Sequence, residues 1–187
     1  FFISSSFSSF YIITHFQRIV FGFLVKLIFN GKIILVMIMF DNNIRYCREE
    51  LEMTQTELGY IFGVSDSAVR SWETAHDSIP LPKLIKFCNM YDYSLDFVCG
   101  LIRNNIKYGK FTTDKIKISK KLKELRNKLG ISQQKLSDDC KISQTTYSGY
   151  ETGNYLINTM NLYYICKTYN VSMDWIVGRT NNSRIDK

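Results

Sequence analysis

Five cysteines (Cys47, Cys88, Cys99, Cys140 and Cys166) and two histidines (His15 and His76) are the residues of this 187-residue chain most able to bind a metal or attack a substrate. Their spacing argues against both roles. No two cysteines form C-x-x-C, and zinc ligands come in close pairs because one turn must present two of them. The cysteines sit in apolar runs and their number is odd, which reads as reduced, buried thiols of a cytoplasmic protein. Phosphate-cradling and nucleophile-elbow motifs are missing as well: there is no G-x-x-x-x-G-K-[ST], no G-x-S-x-G and no H-E-x-x-H. Glu49, Glu50 and Glu52 form an acidic face suited to water rather than an acid–base pair. The expectation is no enzyme, no cofactor and no metal.

What remains is charge. The chain carries 24 Lys and Arg against 17 Asp and Glu, a formal net charge of +7, which suits an anionic partner, nucleic acid before a membrane surface. The charge is uneven. Residues 1–40 carry +3, residues 41–100 carry −5, and residues 101–187 carry +9. The polyanion signal therefore belongs to the C-terminal half.

The first forty residues stand apart. They are rich in Phe, Ile and Ser, and the longest apolar stretch, 19–40, is interrupted by Lys26, Asn30 and Lys32. A membrane-spanning helix needs ~20 nearly uninterrupted apolar residues, and each central Lys costs about 2.5–3.5 kcal/mol on insertion scales. No small-residue cleavage site follows an apolar core, so a secretory signal is not favoured. Three readings stay open: upstream sequence read in frame ahead of a natural start at Met37 or Met39, a membrane anchor, or an extra structured element. The A/T-rich codons behind the abundant Phe, Ile, Asn, Lys and Tyr favour the first.

After residue 40 the chain repeats itself. Residues 44–100 lie over 122–178 without a gap, an offset of 78. Identities include Arg48/Arg126, Gln55/Gln133, Leu58/Leu136, Glu73/Glu151, Cys88/Cys166, Ser94/Ser172, Asp96/Asp174 and Gly100/Gly178. So long a period means two whole domains rather than a solenoid. Each copy patterns as five short helices. In the first, Ile44, Cys47 and Leu51 make an apolar stripe at helical spacing. Thr54-Gln55-Thr56-Glu57 is a capping box, Gly63 suits a left-handed turn, Ser65 caps a third helix, 66–73, and helices over 80–91 and 95–99 follow. The second copy patterns as helices over 120–129, 132–140, 143–151, 159–169 and 172–177. No stretch alternates with strand period. The expected division is an apolar extension over 1–40, a first domain over 41–103, a basic linker over 104–114, a second domain over 115–180 and a polar tail over 181–187.

A helix, a tight turn and a second helix inside a five-helix unit is the helix-turn-helix layout. The run from Thr54-Gln55-Thr56-Glu57-Leu58-Gly59 through Gly63-Val64-Ser65-Asp66-Ser67-Ala68-Val69-Arg70-Ser71-Trp72-Glu73 resembles the Cro/lambda-repressor-like (XRE) family. So does Ser132-Gln133-Gln134-Lys135-Leu136 through Ile142-Ser143-Gln144-Thr145-Thr146-Tyr147-Ser148-Gly149-Tyr150-Glu151. The segment Val171-Ser172-Met173-Asp174-Trp175-Ile176-Val177-Gly178-Arg179-Thr180 resembles the closing segment of many bacterial regulators of that family.

The resemblance implies an all-α protein of two tandem five-helix domains. The third helix of each would lie in the major groove with its N-terminal residues at the base edges. By motif position these are Asp66, Ser67 and Ser71 in the first copy and Gln144, Thr145 and Gly149 in the second. Arg70 and Ser148 flank them. Gln55 and Gln133 match the family's phosphate-contacting Gln, with ordinary helix capping as the alternative. Asn154, Tyr155 and Lys121 are further backbone-contact candidates. Gln144 can pair bidentately with adenine and Thr145 can meet a thymine methyl, whereas Asp66 can only accept and repels phosphate, so the second copy is the expected main reader. Arg48 with Glu73, and Arg126 with Glu151, match a structural ion pair of the family. Trp72, Tyr150, Cys88 and Cys166 fall on core faces. Asp96 and Asp174 fall in the first turn of the fifth helix, where a carboxylate favours the helix dipole.

The function implied is a double-stranded DNA-binding transcriptional regulator, a repressor by steric occupancy of a promoter. The two unlike readers imply an asymmetric composite site. Rivals are an antitoxin-like or anti-regulator module that grips a protein through the acidic first domain, and a membrane-tethered regulator. A homodimer in which the second copy reads a palindrome is the alternative mode of assembly. The wider connecting segment Leu101–Ile118, about 18 residues, could extend to ~60 Å, enough to let two loosely tethered domains reach one DNA face, or its end could lengthen the next helix.

Overall fold

The computed structural model describes residues 23–29, 32–38 and 42–185. Phe23–Phe29 (β1) and Lys32–Ile38 (β2) pair antiparallel, with Phe23 opposite Ile38 and Phe29 opposite Lys32. Both strands lie ahead of the two helical units, in the stretch where an extra structured element was one of the open readings. Asn30-Gly31 between two apolar runs is a hairpin signal in the sequence, and β-branched and aromatic residues suit the pleat. The rest of residues 1–40, on which the start-site and anchor readings chiefly rest, lies outside the described residues. Among those described, no helix is long and apolar enough to cross a membrane.

Among the described residues ten helices follow, five per copy. The first copy holds α1 (Ile44–Glu50), α2 (Gln55–Phe62), α3 (Asp66–Glu73), α4 (Leu81–Tyr91) and α5 (Leu95–Val98). The second holds α6 (Lys115–Leu129), α7 (Gln133–Cys140), α8 (Gln144–Glu151), α9 (Thr159–Tyr169) and α10 (Met173–Val177). Side-chain oxygens start most of them by accepting the backbone N–H groups that a helix N-terminus leaves free. Thr54 and Glu57 satisfy each other at α2, and Ser65, Ser132, Ser143, Asn158 and Ser172 cap α3, α7, α8, α9 and α10. Asp114 accepts from Ile116 and Lys117 and so starts α6 well before residue 120, giving the second copy a longer first helix.

Each copy wraps its helices around the apolar stripes seen in the sequence. Ile44, Cys47, Leu58, Val69, Leu84 and Cys88 are fully buried in the first, and Leu122, Leu136, Tyr147, Leu162 and Cys166 in the second. All five cysteines are free and buried. Burial pushes the Cys47 thiol up to about 12 and the Cys140 thiol up to about 11, which keeps both unreactive near neutral pH.

The segment between the domains is not an extended tether. Asn89 holds Phe111 through a pair of hydrogen bonds, donating to its carbonyl at 2.5 Å and accepting its N–H at 3.0 Å. Asn105 accepts the Ser94 N–H and donates to the Asp92 carbonyl. Arg179 lies over the Tyr108 ring. These contacts lay the basic connector against both domains, so the span of ~60 Å available to a free chain is not used.

Candidate nucleic-acid interface

The turn between α2 and α3 is set by close backbone approach. Gly63 takes the left-handed conformation, φ 63°. A Cβ on Gly59 would stand 2.7 Å from the Val64 carbonyl oxygen, so the α2 surface is bare where the turn folds back. The second copy makes the same turn with other residues. Lys141 replaces Gly63 in the left-handed position, φ 54°. Ser137 replaces Gly59 and buries a hydroxyl that finds no partner.

One network fixes the reading helix in both copies. Arg48 donates from Nε to Glu73 Oε1 at 2.5 Å and from Nη1 to the Met53 carbonyl, while Gln55 Nε2 donates to Glu73 Oε2 at 2.8 Å. In the second copy Arg126 Nε reaches Glu151 Oε1 at 2.6 Å, Arg126 Nη1 reaches the Ile131 carbonyl, and Gln133 Nε2 reaches Glu151 Oε2 at 2.8 Å. The carboxylates are 3% exposed in each copy, so the pairing tethers the first helix, the start of the second and the end of the third. Burial pushes the Glu151 carboxyl up, but hydrogen bonds from Arg126, Gln133 and Tyr147 outweigh it and hold it below the usual range. Their carboxylate partners hold the Arg48 and Arg126 guanidinium groups more firmly protonated.

The Gln55 and Gln133 amides each place one N–H on a buried carboxylate, Glu73 and Glu151. Gln133 also accepts at Oε1 from Gln144 Nε2 at 3.1 Å, so a chain runs from Arg126 through Glu151 and Gln133 to the first residue of α8. Gln144 therefore presents its amide from a held position. The first copy has no such chain, because Asp66 stands in place of Gln144 and accepts from the neighbouring Ser67 N–H instead.

Exposure sorts the remaining candidates. Asp66, Ser67 and Arg70 are exposed on α3 and Ser71 is half-buried, while Val69 and Trp72 face the core. On α8, Thr145 is exposed and Ser148 half-buried, with Tyr147 and Tyr150 inward. Gly149 departs from expectation: it is buried, and a Cβ there would lie 2.4 Å from the Tyr155 ring. Tyr155 is 63% exposed and its N–H donates to the Gly149 carbonyl. The glycine is thus a seat for an aromatic side chain. Asn154 is exposed beside it. His76 is exposed in the loop after α3.

Lys121 has partners inside its own domain. It pairs with Glu124 at 3.0 Å and stands 4.6 Å from the centroid of Trp175, with Lys128 at 5.3 Å over the same ring. Trp175 lies on α10, and a cation over an aromatic face is electrostatically held. Lys121 is thereby packed onto the fifth helix of its domain rather than presented beside α8.

Among the described residues no cluster of three or more His, Cys, Asp or Glu could hold a metal ion. Surveys of curated proteins find none that matches the chain. The helix-turn-helix family model matches it twice, over residues 44–98 and 122–176, which are the two five-helix units whose second and third helices make the turn described above. The chain belongs to the XRE-type helix-turn-helix family of DNA-binding regulators, in two tandem copies.

Proposed function

We propose that the chain represses transcription by occupying promoter DNA, with α8 of the second copy as the principal reader and α3 of the first as an accessory one. The observation that carries this reading is the Gln133–Gln144 amide pair at 3.1 Å. It holds a side chain able to pair bidentately with adenine at the start of a helix, in the half of the chain that carries +9. Asp66 stands at the same position in the −5 domain and offers only acceptors. Arg70, exposed on α3, supplies that copy's cation toward phosphate. At the start of α7, backbone N–H groups and the helix dipole favour a phosphate without help from the Gln133 side chain.

A salt titration on random duplex tests the function. Affinity should fall with rising salt at a slope near −0.9 per phosphate contacted, and no binding at low salt would overturn the reading. Gln144→Ala tests the site. It should change which sequences are preferred, because base contacts specify and phosphate contacts only position. Equal losses on every sequence would place the reading helix elsewhere.

A further inference from the structure

Adding 78 to a residue number in the first copy gives its mate in the second, and the two copies meet through mates. Asp96 Oδ1 accepts the Met173 N–H at 2.6 Å, and Asp96 Oδ2 accepts from the Ser172 hydroxyl. In return Asp174 accepts the Asp96 N–H at 3.0 Å and the Leu95 N–H. Met173 is the mate of Leu95 and Asp174 the mate of Asp96, so each fifth helix is capped by a carboxylate from the other domain. A contact of residue with mate, made once in each direction, is the signature of a two-fold, isologous interface. Here it is closed inside one chain.

The seam is buried and locked. Leu95, Val98, Cys99, Ile176 and Val177 are at most 1% exposed. Arg179 breaks the symmetry, since its mate is Leu101. Its Nη1 donates both to Asp174 Oδ1 at 2.9 Å and to the Tyr93 carbonyl of the first domain at 3.0 Å. The two copies also meet away from their fifth helices. The Thr159 hydroxyl at the start of α9 donates to the Ile79 carbonyl, in the loop that leaves α3, and Ile79 and its mate Ile157 are both buried.

A separate dimer of helix-turn-helix domains needs such a two-fold face to set its two readers one helical turn apart. In this chain that face is already occupied from within. We propose that one chain stands in for a repressor dimer, and that its ligand is a single duplex site of two unlike half-sites at fixed spacing, one under α3 and one under α8. This rests on the DNA-binding reading above. It replaces both the loose tether and the homodimer expected from the sequence. The half-sites differ because Asp66, Ser67 and Arg70 face one of them, and Gln144, Thr145 and Tyr155 the other.

The test uses the full chain and a pool of random duplexes of about 30 base pairs, three helical turns. Sequences selected from the pool should contain two different half-sites, and sedimentation of the complex should give one chain per duplex. Inserting about five base pairs between the half-sites, half a turn, should cost roughly a hundredfold in affinity, and inserting about ten, a full turn, should not restore it. Recovery at ten base pairs would mean a flexible tether, and two chains per duplex would mean a homodimer; either overturns the inference while leaving DNA binding intact. Absence of binding to any duplex at low salt removes the function itself and the inference with it.

Discussion

Arg179→Leu gives the second copy the residue that the first copy has at its matching position, and strips the seam of the cation that pairs with the buried Asp174 carboxylate. The Arg179 and Asp174 side chains are both 0% exposed, and Asp96 is 3% exposed. Removing one partner of a buried ion pair costs about 3–5 kcal/mol, and here it also strips a donor from the Tyr93 carbonyl. The loss depends on pH, with a sign that follows from burial. Desolvation, then the neighbouring Asp174 charge, push the Asp96 carboxyl up to about 7. Burial also raises Asp174, with Arg179 opposing it. A carboxyl raised in the folded state contributes stability that is full below its unfolded pKa, near 3.9, and is lost as pH rises through the folded value. For Asp96 that window runs from about pH 4 to pH 7, and roughly three units correspond to a change on the order of 4 kcal/mol.

Without Arg179, Asp174 rises further, so the variant should lose most at pH 8 and distinctly less at pH 5, where both carboxyls can take protons. Urea unfolding at the two pH values reads this directly. Asp96→Asn is the companion. It keeps an acceptor for the Met173 N–H, removes the titration, and should flatten the wild-type decline between pH 4 and pH 7. An equal loss for Arg179→Leu at both pH values, with an undiminished slope in Asp96→Asn, would refute the electrostatic account and leave only packing.

Three further outcomes are expected. Glu151→Gln should lower stability by about 3 kcal/mol, because the Arg126 guanidinium loses its buried counter-charge; thermal unfolding measures it, and a change under ~0.5 kcal/mol would mean the pair holds nothing. Ser137→Ala should be neutral or stabilising by about 1 kcal/mol, since it removes a buried hydroxyl with no partner; a clear destabilisation in urea would show that the hydroxyl is satisfied in solution. Tyr155→Ala should weaken duplex binding by about tenfold, the scale of one lost contact of ~1–3 kcal/mol at a duplex site, without changing the urea midpoint. Unchanged affinity by fluorescence anisotropy would take Tyr155 off the reading face.

Much of the fold was legible because its signals are local. A hydroxyl three residues before an N–H, a glycine at a helix end and an apolar stripe at helical spacing act within one or two turns, so Thr54, Ser65, Gly63 and Ser143 declare their helices without help from the rest of the chain. The 78-residue repeat is likewise a property of the string. The paired strands Phe23–Phe29 and Lys32–Ile38 have such a signal too, Asn30-Gly31 between two apolar runs of the sequence.

The sites were less legible, since their meaning lies in what comes near from far along the chain. Gly149 is a base-edge candidate by motif position, and only the fold lays the Tyr155 ring over it. Lys121 finds the ring of Trp175, 54 residues on. Glu151 and Gln144 meet the two ends of the Gln133 amide. Asp96 and Asp174 each looked like an ordinary first-turn carboxylate. Only the tertiary structure turns them across the seam to cap each other's helices.

By itself the sequence determined that this protein has two copies of one reading unit, with the positive charge in the second. The tertiary structure alone decided that the copies face each other as a closed pair. The reason is physical: capping and helical period are short-range and written in order along the chain, whereas a two-fold seam is made of surfaces whose shape and polarity exist only once both domains have folded.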